Sequence, residues 1–139
     1  MIVVDTCVLV DVIDADPNWA EWSREQLDVW SSRGPLIINA LVYAELSVGF
    51  PTIEATDRIV ERAGLDLREI PRDALFLAAK ACQLYRQRGG TRTGVLSDFF
   101  IGAHAAILGV PLLTRDVARY ESTFRDLKLV APQKPRFAT

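Results

Sequence analysis

The stretch Met1-Ile2-Val3-Val4-Asp5-Thr6-Cys7-Val8-Leu9-Val10 decides how this chain is read. Ile2, Val3 and Val4 form an uncharged β-branched run, which reads as a short strand buried on both faces. Asp5 ends that run, and Thr6 can cap a helix that starts at Cys7. A carboxylate at the carboxyl end of a central parallel strand stands on the rim where open α/β sheets bind ligands. The plainer reading makes Asp5 an acidic cap for the next helix, and this stretch alone favours it. Acids further along the chain shift that balance.

Outward from this strand, the chain alternates. Val8 to Ile13 continue as a short helix, Asp14 to Pro17 form a turn, and Asn18 to Ser32 read as a helix with Trp19, Trp22, Leu27 and Trp30 near one face. Such a stripe is expected to be core, with a partner groove as the alternative. Leu36 to Ile38 form a second buried strand, Asn39 caps a helix over Ala40 to Val48, and Thr52 to Ala63 form another helix closed by Gly64. Leu67 to Ile70 are a third strand candidate. Pro71 opens a long helix whose apolar stripe is Leu75, Ala78, Ala79, Cys82 and Tyr85, ended by Gly89-Gly90. After a polar loop from Thr91 to Leu96, Ser97 or Asp98 starts a helix that runs through Leu108. Leu112-Leu113 and Leu127 to Val130 complete the strands, with a short helix between Asp116 and Phe124. Strands alternating with helices predict a parallel sheet covered on both faces.

The 139 residues suggest one domain, 1–139, with residues 132–139 as a flexible tail. Half the residues are hydrophobic, enough for a core, and the net charge is only -2. That charge is uneven. Residues 1–57 hold two basic residues against ten acidic ones, and residues 58–139 hold fourteen against eight. The second part can therefore offer a cationic surface, although the whole is not a basic protein. Cys7 and Cys82 are far apart and outside any CxxC pattern, which suits reduced packing residues in a reducing cytoplasm. The amino terminus has no basic n-region. The uncharged stretch from Phe99 to Thr114 is broken at Gly109-Val110-Pro111 and is shorter than the roughly 20 residues of a membrane span.

Four carboxylates stand out by position. Asp5 follows strand one, Glu45 lies on the helix after strand two, Asp98 lies in the first turn of its helix, and Asp116 follows strand four. A parallel sheet can bring these places to one edge. With a single histidine in the chain, a histidine-rich metal site is excluded, and oxygen-only ligands suit a hard cation such as Mg²⁺ or Mn²⁺. Carboxylates held together without a cation repel and raise one another's pKa, so a converged cluster implies metal. Each acid also has a bland reading: Asp98 can complement the helix dipole, and Asp116 can start a turn. Glu45 sits among Leu41, Val42, Tyr43, Ala44 and Leu46, so it is expected to be buried and to need a partner. Asp11, Asp14, Asp16, Glu54 and Asp57 read as solvated surface. His104 lies six residues after Asp98, about 240° around the helix, so it is expected to be a packed or hydrogen-bonded residue off that face.

Val3-Val4-Asp5-Thr6-Cys7-Val8-Leu9, Asn39 to Leu46, Ser97 to Ala105 and Leu112-Leu113-Thr114-Arg115-Asp116, in this order, resemble PIN-domain ribonucleases. The resemblance is greatest to VapC-type toxins of toxin–antitoxin pairs and spans nearly the whole chain. It implies a three-layer α/β/α domain with a central parallel five-stranded sheet, often dimeric, acting as an endoribonuclease. By the same resemblance Asp5, Glu45, Asp98 and Asp116 are the metal-binding and catalytic acids, with Thr6 and Thr114 as supporting hydroxyls. It also implies a small antitoxin partner.

The chemistry that follows is hydrolysis of RNA phosphodiester bonds assisted by Mg²⁺ or Mn²⁺. An acidic pocket repels RNA, so basic residues outside it must provide grip, and Lys80, Arg86, Arg88, Arg92 and Arg115 are the candidates. Two alternatives keep this fold: a non-catalytic protein-interaction module and a housekeeping nuclease without an antitoxin. A receiver-type phosphotransfer protein lacks its adjacent acidic pair here, and a haloacid-dehalogenase-like phosphatase would need an acid where Cys7 stands.

Overall fold

The computed structural model describes residues 1–92 and 95–133. The expected tail therefore lies outside the described residues from 134 onward, as do residues 93–94 of the expected polar loop. The elements in chain order are β1 (Ile2–Val4), α1 (Thr6–Ile13), α2 (Ala20–Ser31), β2 (Leu36–Ile38), α3 (Ala40–Ser47), α4 (Ile53–Arg62), β3 (Leu65–Leu67), α5 (Arg72–Gln87), α6 (Leu96–Leu108), β4 (Leu112–Leu113), α7 (Val117–Glu121) and β5 (Leu129–Val130). Among these residues no helix is long and apolar enough to cross a membrane.

The strands form one all-parallel sheet in the order β3-β2-β1-β4-β5. Ile2, Val3 and Val4 are fully buried at its centre, flanked by Leu36, Ile37 and Ile38 on one side and Leu112 and Leu113 on the other. The chain runs outward from β1 through β2 to β3, then returns across β1 to β4. Each parallel pair needs a crossover, and the helices between the strands supply it. The helices pack as one connected set: α1 on α2 and α3, α3 on α4 and α6, α5 along α6, and α6 on α7. The reversal of direction beside β1 makes the carboxyl ends of β1 and β4 the natural ligand crevice.

Local chemistry explains the element boundaries. Asn39 caps α3 by accepting the backbone N–H groups of Leu41 and Val42, and Thr52 caps α4 by accepting that of Ala55. Gly109 ends α6 in the left-handed conformation (φ 67°), where a side chain is strained. α2 begins at Ala20 rather than Asn18, because the Asp16 carboxylate accepts the N–H groups of Asn18 and Trp19 and holds them in a turn. α1 begins at Thr6, one residue earlier than expected, and α6 begins at Leu96.

Four expectations are corrected. The third strand is Leu65–Leu67, not Leu67 to Ile70: it starts directly after Gly64, and Leu65 pairs with Leu36. The fifth strand is only Leu129–Val130. On α5 the buried residues are Ala74 and Ala78, supported by Leu77, Ala81, Cys82 and Tyr85, while Leu75 and Ala79 face outward. The stripe is rotated because small alanines let α5 lie close along α6. Asp11 is not solvated surface: it is buried, accepts from Ser23, and pairs with Arg115 at 2.8 Å. The tryptophans are half-buried, with Trp19 and Trp22 in edge-to-face contact and Trp22 and Trp30 against the core.

Candidate functional site

Asp5 stands where β1 meets α1. Its backbone is extended in the N-cap position, but its carboxylate makes no capping bond. The carboxylate turns to the β4 side instead. Its Oδ2 accepts from Thr114 Oγ1 at 2.8 Å, from the Tyr120 hydroxyl at 3.0 Å and from Cys7 Sγ at 3.5 Å. Thr114 is fully buried just past β4, and its hydroxyl oxygen also accepts the backbone N–H of Asp116 at 3.0 Å. That hydroxyl therefore joins the ends of β1 and β4.

Asp98 enters from the first turn of α6 and is 8% exposed. Its Oδ1 lies 3.5 Å from the Tyr120 hydroxyl and 3.6 Å from Arg119 Nη1. Arg119 also pairs through Nε with Asp116 Oδ2 at 2.8 Å. Glu45 comes from α3, and its Oε1 accepts from the Thr6 hydroxyl at 2.8 Å. Contrary to expectation Glu45 is exposed, because α3 buries Val42 and Leu46 and turns Glu45 away from them. Its partner is thus a matter of position and not of buried charge.

The electrostatics show how close these groups stand. Burial pushes the Asp98 carboxyl up to about 6; Arg119 opposes this, while the charges of Asp5, Glu45 and Asp116 add to it. Burial and then Asp5 push the Cys7 thiol up to about 12, so it remains a protonated donor and no nucleophile. Burial and the charges of Asp5 and Asp98 raise Tyr120 far above an ordinary phenol, which keeps its proton on the hydroxyl.

The four acids are therefore drawn to one edge, but through intermediaries: Tyr120 between Asp5 and Asp98, Arg119 between Asp98 and Asp116, Thr6 beside Glu45. Among the described residues no three His, Cys, Asp or Glu side chains already form a group that could hold a metal ion. The donors are all oxygen, which suits a hard cation, and the positive charge at the acids is the Arg119 guanidinium. By donor chemistry and by this stand-in cation, the set fits a divalent metal. Arg119 and Tyr120 escaped the sequence reading. They follow Asp116 at three and four residues, the spacing that puts side chains on one face of a helix, and this was the available signal.

The candidate RNA-binding residues separate. Arg86 and Arg92 line a hollow of about 380 Å³ with Tyr85 and Val95, where α5 ends and α6 begins. Lys80 and Arg88 line a groove of about 700 Å³ with Tyr85 and Arg125. Arg115 is a structural tie, bonded to Asp11 and stacked 5.8 Å from the Trp19 ring centre. His104 is 1% exposed, and its Nδ1 lies 3.1 Å from Asn39 Nδ2. Asn39 Oδ1 already accepts two backbone N–H groups, so its amide nitrogen donates and His104 Nδ1 accepts.

Residues 2–121 match the family described as PIN domain. No curated protein sequence matches the chain. Among solved structures, a chain of VapBC2 from Rickettsia felis bound to a DNA fragment from their promoter is similar at a TM-score of 0.73 and 19% identity, over 96% of this chain and 100% of that one. A chain of a toxin-antitoxin complex from Klebsiella pneumoniae gives 0.70 and 19%, over 97% and 100%. A chain of FitAcB from Neisseria gonorrhoeae gives 0.64 and 20%, over 93% and 96%. At these identities the likeness is one of fold.

Proposed function

The chain belongs to the PIN domain family, and from that premise we propose that it is a metal-dependent endoribonuclease and the toxin of a toxin–antitoxin pair. The observation that carries the reading is the meeting of Asp5, Asp98 and Asp116 at the carboxyl ends of β1 and β4, with Glu45 beside Thr6. Asp5, Glu45, Asp98 and Asp116 would hold Mg²⁺ or Mn²⁺. Such a cation, when bound, lowers the pKa of a water and offsets charge on the phosphate.

The chain's own residues set the stage for that step. Thr114 and Tyr120 fix Asp5 Oδ2 and so orient its carboxylate. Thr6 positions Glu45 at the rim. Thr114 further holds the backbone of Asp116 in place. Arg86, Arg92, Lys80 and Arg88 supply positive charge beyond the acidic pocket, where an RNA backbone can be gripped without entering it. The antitoxin reading is supported by the fold's likeness to chains solved in VapBC, FitAcB and toxin-antitoxin assemblies; a homodimer accompanies it as part of the same proposal.

The test is cleavage of RNA by the purified protein. Cleavage with Mg²⁺ or Mn²⁺ that stops on chelation is expected, and Asp5→Asn and Asp98→Asn are expected to lose it while remaining folded. A folded Asp5→Asn protein that cuts undiminished overturns the site. Full cleavage without growth arrest, and without a small neighbouring protein that copurifies, leaves a housekeeping nuclease. No cleavage despite partner binding leaves an interaction module.

A further inference from the structure

We infer that Arg119 is a built-in counter-cation of the acidic pocket, which a divalent metal must displace before it can bind. The inference rests on the metal-dependent reading above and assigns this residue a positioning role. Arg119 projects from the five-residue helix α7 and touches two of the four acids at once: Nε at 2.8 Å from Asp116 Oδ2 and Nη1 at 3.6 Å from Asp98 Oδ1. Among the described residues no other basic side chain makes an ion pair with these acids. Arg115, four residues earlier, is committed to Asp11.

The geometry makes the competition direct. A cation held by Asp98 and Asp116 would compete with Arg119 for their carboxylates, since two positive groups drawn to the same acids repel. Arg119 is free to leave, since its side chain is 37% exposed and stands on a short surface helix. Arg119 also opposes the burial and the neighbouring acids that together push the Asp98 carboxyl upward. Tyr120 lacks this freedom. It is fully buried and fixed to Asp5. The site thus has one fixed donor and one displaceable cation on adjacent residues of α7.

The consequence is a threshold on metal loading. Mn²⁺ titrated calorimetrically into the purified chain at fixed ionic strength reads it without recourse to activity. Arg119→Gln is expected to bind Mn²⁺ about two- to fivefold more tightly than wild type, and Arg119→Lys to stay near wild type because it keeps the charge. Equal or weaker binding by folded Arg119→Gln overturns the inference alone. Absence of Mn²⁺ binding by both proteins overturns the metal-site reading together with it. Should the glutamine variant not fold, the wild type still decides. The Arg119 Nε–H signal, followed by ¹⁵N NMR, is expected to lose its paired, exchange-protected character as Mg²⁺ is added. A signal unchanged at a concentration that saturates the calorimetric titration overturns the inference.

Discussion

At the residue scale, the most constrained atom is Asp5 Oδ2, on which three donors converge. All three bonds fall on this one oxygen, so its geometry fixes the orientation of the whole carboxylate. Tyr120→Phe removes one donor to a buried carboxylate at little change in volume. It is expected to cost about 2 kcal/mol in urea unfolding, the range of a hydrogen bond to a charged group; an unchanged midpoint would mean that the hydroxyl is idle. His104 gives a pH signature. Burial, then Arg68, lowers its pKa below 6.5, so the unfolded chain takes up a proton there before the folded one does. Stability from this residue therefore falls as pH drops below 6.5 towards the folded pKa, and is fully present above 6.5. Asp98, raised to about 6, acts in the opposite sense, since the folded state then holds the extra proton as pH falls. The difference between wild type and His104→Gln, followed by urea midpoints from acid to neutral pH, isolates the histidine: the variant should lose less stability on acidification. Parallel curves would show that His104 does not titrate.

At the element scale, α6 carries Asp98 to the pocket and His104 to the Asn39 cap, and it can approach the segment after α7 only because of Gly102. A Cβ on Gly102 would sit 2.4 Å from the Phe124 ring. Gly102→Ala is therefore expected to destabilise by about 1–3 kcal/mol despite alanine's better helix propensity; a gain in thermal midpoint would refute this packing. Asn39→Ala loses both the cap and the donor to His104, and a drop of at least about 1 kcal/mol is expected by the same measurement. Much at this scale could be read from residue order. Uncharged β-branched or leucine runs fixed β1, β2 and β4, and Asn39, Thr52, Gly64 and Gly109 marked the helix ends. What could not be read depended on a neighbour. β3 is chosen by register with Leu36, and the buried face of α5 by how closely α6 lies against it. The burial of Asp11 under Arg115, and the ties of Arg119 to Asp98 and of Tyr120 to Asp5, depend on residues distant in the chain.

At the scale of the whole molecule, charge separates from position. The acids that meet at the pocket come from both halves of the sequence, while Lys80, Arg86, Arg88 and Arg92 all lie on or after α5. If RNA lies along that side, replacing Arg86 and Arg92 together by alanine should weaken binding and flatten the plot of log affinity against log salt by about 1.4, two phosphate contacts on a single strand. An unchanged slope, measured by fluorescence anisotropy, assigns both to solvation. The sheet order carries a different kind of consequence, one in time. β1 is made first, yet its partner β4 and the Tyr120 hydroxyl that secures Asp5 lie 109 and 115 residues downstream. Pairings so distant in sequence form late and slowly. During synthesis Asp5 leaves the ribosome long before Thr114 and Tyr120 exist to hold it, and a fragment cut short before α7 lacks the Tyr120 donor. On the proposed function, the acids are then synthesised well before the contacts that gather them, and premature activity is disfavoured by topology.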